Sequence, residues 1–159
     1  MTKPSWQAVS GMVKVESKPP GFWTTAIPFV SGPRLLRLTV QPTDDKGSNV
    51  PVIWRSAAGE CGADGLKGAA NTGMLLTNTS AGALIGKIGG STADLPDAQG
   101  QAGASTAYLG RKVFPVGSYA VIALADTDSG PLFLTMNDAP DGFATHSGAL
   151  WVLIEEAAF

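Results

Sequence analysis

Cysteine is almost missing from this chain of 159 residues: Cys61 is the only one. An internal disulfide is therefore excluded, and the fold does not depend on an oxidising compartment. Histidine is as scarce, with His146 alone. One thiol and one imidazole cannot assemble a soft-metal site, and nothing local supports a catalytic Cys–His pair. Charge is sparse too, at 15% of residues with a net charge of -2. No like-charge run exceeds the pairs Asp44-Asp45, Arg111-Lys112 and Glu155-Glu156. The electrostatic footprint of a nucleic-acid binder and the polybasic patch of a membrane-surface binder are both missing. No apolar stretch approaches the roughly 20 residues that span a bilayer, so membrane insertion is not expected. The opening Met1-Thr2-Lys3-Pro4-Ser5-Trp6 has no apolar run and no small-residue cleavage site. It predicts no Sec signal peptide and a soluble chain made in the cytoplasm, with any exit by a non-Sec route. No segment carries the i, i+3, i+4 stripe of an amphipathic helix.

Apolar residues make up 44% of the chain, with 20 glycines and 11 prolines. This is the composition of one globular domain, residues 1–159, rich in turns and poor in helix. Period-two patterning dominates. Val9, Gly11, Val13 and Val15 alternate with more polar neighbours, and so do Leu36, Leu38 and Val40, Leu132, Leu134 and Met136, and Leu150, Val152 and Ile154. Each reads as a strand with one face on a core and a more mixed opposite face. Further strand candidates are 23–30, 50–55, 74–77, 83–88, 112–116 and 119–124. About ten short strands with no intervening helix predict an all-β fold. An antiparallel β-sandwich of jelly-roll type is expected. Pro28 and Pro115 mark edge strands or bulges. Residues 42–49 read as a turn. Residues 89–110 form a long irregular loop, for which a mobile surface insertion is the plainer reading.

Three separated pieces carry a resemblance. They are Gly82-Ala83-Leu84-Ile85-Gly86-Lys87-Ile88-Gly89, then Phe114-Pro115-Val116-Gly117, then the stretch 130–152 with Leu134-Thr135-Met136-Asn137-Asp138 and Ser147-Gly148-Ala149-Leu150-Trp151-Val152. Their order and spacing resemble the PA-IL type of calcium-dependent, galactose-binding bacterial lectin over roughly the C-terminal half. The resemblance implies a galactose-binding-domain-like jelly roll. A Ca²⁺ ion would sit in loops at one end, held by side-chain and carbonyl oxygens and completed by two sugar hydroxyls. Asp138 matches the family's acidic ligand, and Gly142 stands where a carbonyl ligand is expected. Thr145 and His146 occupy positions that in the family hold an Asn or Asp followed by Asn. Asp141 is an added oxygen source. Imidazole suits softer metals than calcium, so His146 is a departure. The stretch with Asn71 and Thr72 lacks the His and Gln that touch sugar in the family.

The expected function is a non-enzymatic lectin that takes a galactoside-like glycan at Asp138, Thr145, His146, Asn71 and Thr72. Its metal ligands would be Asp138, Gly142, Thr145, Asp141 and His146. Weak single sites favour avidity, so a homo-oligomer is expected. The alternative is a structural, assembly or interaction module that kept the sandwich and lost the sugar site. A hydrolase has no nucleophile elbow, metal triad or acid pair behind it; Asp94, Asp97, Asp126 and Asp128 are turn residues. The plainer readings are a turn-capping Asp138, an Asx-turn Asn137 and a solvated loop tip for His146. Trp54 and Trp151 read as core, Trp6 and Trp23 as candidates for exposure, and Glu155 and Glu156 as solvated charges.

Overall fold

The computed structural model describes residues 5–68, 73–77, 79–92 and 113–158. Asn71 and Thr72, and most of the expected loop 89–110, lie outside the described residues.

Among the described residues ten strands follow in order: β1 (Ser5–Glu16), β2 (Thr24–Ser31), β3 (Arg34–Gln41), β4 (Trp54–Ser56), β5 (Gly59–Cys61), β6 (Leu84–Ile88), β7 (Val113–Pro115), β8 (Tyr119–Leu124), β9 (Ser129–Met136) and β10 (Ala149–Ala158). One turn of 3-10 helix, Pro140–Thr145, separates the last two. Sheet one has the order β1-β10-β3-β8 and sheet two the order β2-β9-β6-β7. Every pairing is antiparallel. The fold is an all-β sandwich.

The period-two pattern explains the packing of sheet one. Val15, Leu36, Leu38, Leu150, Val152 and Ile154 share its inner face and are fully buried. They form one cluster with Ile27, Leu84, Leu132, Leu134 and Met136 of sheet two. Alternate residues of β10 and β3 face outward, where Arg37 pairs with Glu155 at 2.8 Å; Arg34 and Glu156, in phase with Leu36 and Ile154, pair at 3.0 Å at the end of the inner face. These two glutamates are thus ion-paired rather than free charges.

Sheet two departs from the half-mixed expectation. In β6 and from Leu132 to Met136 of β9 both faces are buried. The reason is a second cluster on the outer side, built from Trp23, Leu75, Ile85, Phe133 and Phe143. Trp23 is buried, not exposed. Lys87 is 0% exposed beneath this layer. Its Nζ donates to the Ser91 carbonyl at 2.8 Å and lies 4.8 Å from the Trp23 ring centre and 5.0 Å from that of Phe133. A buried ammonium is tolerated only when its donors and charge are met in this way.

Two strand expectations shift. Residues 50–53 form no strand: Val50 N–H donates to the Pro42 carbonyl at 2.9 Å, Pro51 lacks a donor, and the strand there starts at Trp54. It turns back through Ala57 and Ala58 into β5, a hairpin the sequence reading missed. Residues 74–77 are bends and a turn, not a strand. Met74 and Leu75 are buried and Leu76 is half-buried, with Leu75 in the second cluster and Leu76 against it, while Asn137 holds the Leu76 backbone. Pro28 does lie on an edge strand, beside a register shift. The 42–49 turn is held by the Asp44 carboxylate, which accepts from the N–H groups of Lys46 and Ser48, both at 2.9 Å.

Candidate functional site

The chain leaves the buried end of β9 through Asn137 and Asp138, makes the 3-10 turn, and re-enters at β10 through His146, Ser147 and Gly148. Asn137 is fully buried and is not an Asx-turn residue. Its carbonyl oxygen accepts from Leu76 N–H at 2.8 Å, and its amide donates to the Leu76 and Thr79 carbonyls at 3.0 and 2.9 Å. With its backbone bonds to Ala83 and Gly82, it fixes the loop that lids sheet two.

Asp138 faces the other way, toward the β4–β5 turn. Its Oδ1 accepts from Ala139 N–H at 2.8 Å, and its Oδ2 from Ala57 N–H at 3.0 Å. Oδ2 also lies 2.8 Å from His146 Nε2. Gly142 allows this approach, because a Cβ there would stand 3.1 Å from Asp138 Oδ2 and 3.0 Å from the Ala57 methyl.

His146 is buried, which overturns the solvated-tip reading. The ring packs at 4.4 Å on Phe143, which meets Phe22 edge-on at 5.2 Å. Nδ1 lies 2.6 Å from the Ser17 carbonyl. A carbonyl only accepts, so Nδ1 carries a proton. Nε2 faces a carboxylate, and that contact needs one more proton. When Asp138 is ionised, the ring is an imidazolium donating at both ends. Burial on its own would raise the Asp138 carboxyl. The His146 hydrogen bond, the N–H groups of Ala57 and Ala139 and the ring's charge outweigh it and hold the carboxyl below the usual carboxylate range.

The ring thus joins three segments. Ser17 lies just past β1 and returns its own N–H and hydroxyl to the Gly148 carbonyl at 3.1 and 2.7 Å. Lys18 donates to the Ala144 carbonyl at 3.1 Å. Arg55 and Ser147 exchange two backbone bonds.

The residues expected as metal ligands are partly brought together, and the oxygens of Asp138 and the Gly142 carbonyl already accept hydrogen bonds. Both oxygens of Asp138 accept from protein donors. The Gly142 carbonyl accepts from the Thr145 hydroxyl at 2.8 Å. Both nitrogens of His146 are committed, and Asp141 is exposed on the turn. Calcium wants six to eight oxygens, and this arrangement does not fit it: the imidazole stands against the carboxylate that would face the ion. Among the described residues, no group of three His, Cys, Asp or Glu side chains is placed to hold a metal.

Cys61 closes the β4–β5 hairpin as a buried thiol, raised mainly by burial. It sits beneath Gly82, where a Cβ would meet the sulfur. Trp54 is core as expected, and its Nε1 donates to the Gly82 carbonyl at 2.7 Å. Trp151 is not core. It faces outward from sheet one beside Lys14 and lines a cleft of about 380 Å³ with Glu16, Pro51, Ile53 and Gly148. Ser17 is the partner that sequence reasoning missed, and Asn137 the one it named in another role. Ser17 contributes through its carbonyl, which has no residue-type signature, whereas Asn137, fixed between a buried strand and an acidic turn, had one.

No family model and no curated protein matches this chain.

Proposed function

We propose that the chain is a non-catalytic binding and assembly module whose end loops are fastened by a built-in imidazolium–carboxylate pair, where the lectins it resembles use calcium. The observation that supports this reading is the position of His146 between Asp138 and the Ser17 carbonyl. A cation attached to the chain meets the acidic side chain and ties its loop to the segment that follows β1. The pair also argues against catalysis, because neither ring nitrogen keeps a lone pair free to take a substrate proton.

Calorimetric titration of the full chain with calcium is expected to give no binding heat, and the melting temperature should be the same in calcium and in chelator. A calcium-dependent rise in melting temperature, joined to chelator-sensitive binding of galactosides on a glycan array, would overturn the reading in favour of a galactose-type lectin.

A carbohydrate-binding reading without calcium draws on a different feature, the Trp151 cleft. An indole flank suits the C–H face of a pyranose. Lys14 and Glu16, paired at 3.3 Å, offer donors and acceptors to neighbouring hydroxyls. Array binding that survives chelator and is lost in Trp151→Ala would establish it.

A further inference from the structure

Four strands end the two sheets: β1 and β8 in one, β2 and β7 in the other. Proteins defend such edges, because a row of unpaired N–H and C=O groups templates another strand. Three of the four carry a defence. β1 has a register shift between Ala8 and Met12, Gly11 at φ +73, and the charged Lys14 and Glu16. β2 contains Pro28 and two register shifts. β7 has three residues and ends on Pro115. β8 carries none. Tyr119-Ala120-Val121-Ile122-Ala123-Leu124 has no charge and no proline, and its register against β3 is unbroken.

The ladder shows which backbone groups are left over. Val40 N–H donates to the Ser118 carbonyl at 3.0 Å, in the same register that pairs Leu38 with Ala120 and Leu36 with Ile122. Antiparallel pairs alternate between bonded and non-bonded. Ala120 and Ile122 therefore bond to β3, while the N–H and C=O groups of Tyr119, Val121 and Ala123 point away from it. Among the described residues β8 pairs with β3 alone. The same three side chains lie on the outer face, with Tyr119 57% and Val121 46% exposed.

We propose that β8 is a homotypic interface, pairing antiparallel with β8 of a second copy about a two-fold axis at Val121, so that sheet one continues across both molecules. Opposed residues in an antiparallel pair share a face, so the axis passes through a residue and not between two. Centred on Val121, the pairing sets Val121 against Val121 of the partner subunit and Tyr119 against Ala123 of the partner subunit. Every outward N–H and C=O of the three residues then finds a partner, and the large ring lies over the small methyl. A two-residue slip in either direction leaves some of these groups unpaired. No charges are brought together. Ala120 and Ile122, half-buried at the rim of the core, gain cover from the same contact. A self-complementary, uncharged edge is what an isologous dimer requires. The inference rests on the assembly reading above and names the partner.

Sedimentation velocity of the full chain, from low micromolar to millimolar, is expected to show a reversible dimer. Val121→Lys sets like charges against each other at the axis, on a side chain already exposed. It should be monomeric throughout, with an unchanged circular dichroism spectrum. Bonded antiparallel partners have Cα atoms about 5.5 Å apart, within disulfide reach. Val121→Cys should therefore give a covalent dimer with diamide, and Ala123→Cys should not, while Cys61 is buried and out of play. A wild-type monomer at millimolar concentration, a dimer that persists in Val121→Lys, or equal cross-linking of the two cysteine variants would overturn the interface. So would a monomer that instead captures an unrelated extended peptide. Failure here leaves the calcium titration unaffected; calcium binding by an intact β8 dimer would instead reject the assembly reading's account of the end loops.

Discussion

The outer faces of the two sheets contrast sharply. That of sheet one lies open: Trp151 lines a surface cleft, Tyr119 and Val121 are exposed, and charges meet across the strands. That of sheet two lies beneath Trp23, Leu75 and Phe143. The alternation within sheet-one strands is the ordinary consequence of one wet face. The unbroken burial of β6 arises because loops, not another sheet, make a third layer. Those loops have little regular structure, so they need anchors, and Asn137, Asp138 and His146 supply them. The comparison teaches that a covered face built from loops depends on polar anchors at the loop end, which an open face of paired strands does not.

The largest break in that contrast should come from Phe143→Ala. Phe143 packs against Phe22 and His146 and belongs to the second cluster. Removing a buried aromatic of this kind costs about 3–5 kcal/mol, to be read from urea unfolding. Native-state hydrogen exchange should then accelerate in residues 73–77 before it does in β10.

His146→Ala should follow, at about 3 kcal/mol or somewhat more, since it strands a buried carboxylate. Adding Asp138→Asn to that variant should recover part of the loss. Equal, additive losses in the double-mutant cycle would show that the pair is not coupled.

Acid sharpens the comparison further. The Asp138 carboxyl lies below its ordinary value of 3.8 in the folded chain. The unfolded chain therefore takes up the proton first as pH falls. The stability contributed by this depression is present above about pH 4 and is lost as pH drops through the folded value. Urea midpoints of wild type and Asp138→Asn should converge in that acidic window and separate above it. A constant gap from pH 6 to pH 2 would contradict the assignment.

Tyr119→Ser, on the open face, should change monomer stability by no more than about 0.5 kcal/mol, the usual range for surface positions. A loss like that of Phe143→Ala would mean that the open face is not open.

Much of this was legible before the coordinates. Period-two spacing placed β1, β3, β9 and β10, because alternating branched residues commit a strand to one buried face. The further strand candidate at 74–77 failed, because Met74, Leu75 and Leu76 bury apolar area without joining a ladder; no local pattern separates a lid from a strand. The sequence reading failed for Trp23 and Trp151 in opposite senses, since which outer face is covered depends on loops remote in sequence. At the loop end, Asp138 accepts from the N–H groups of Ala139 and Ala57, as the turn-capping reading had it. His146 was misread as exposed, because its carbonyl partner lies 129 residues away and a main-chain oxygen leaves no mark in a sequence.

Lys87 has one more consequence. Its ammonium is sealed between Trp23 and Phe133, so an amine-acylating reagent cannot reach it while the third layer is seated. Acylation of that single side chain, followed by mass spectrometry, therefore times the lifting of the layer, and the molecule carries its own clock for the motion.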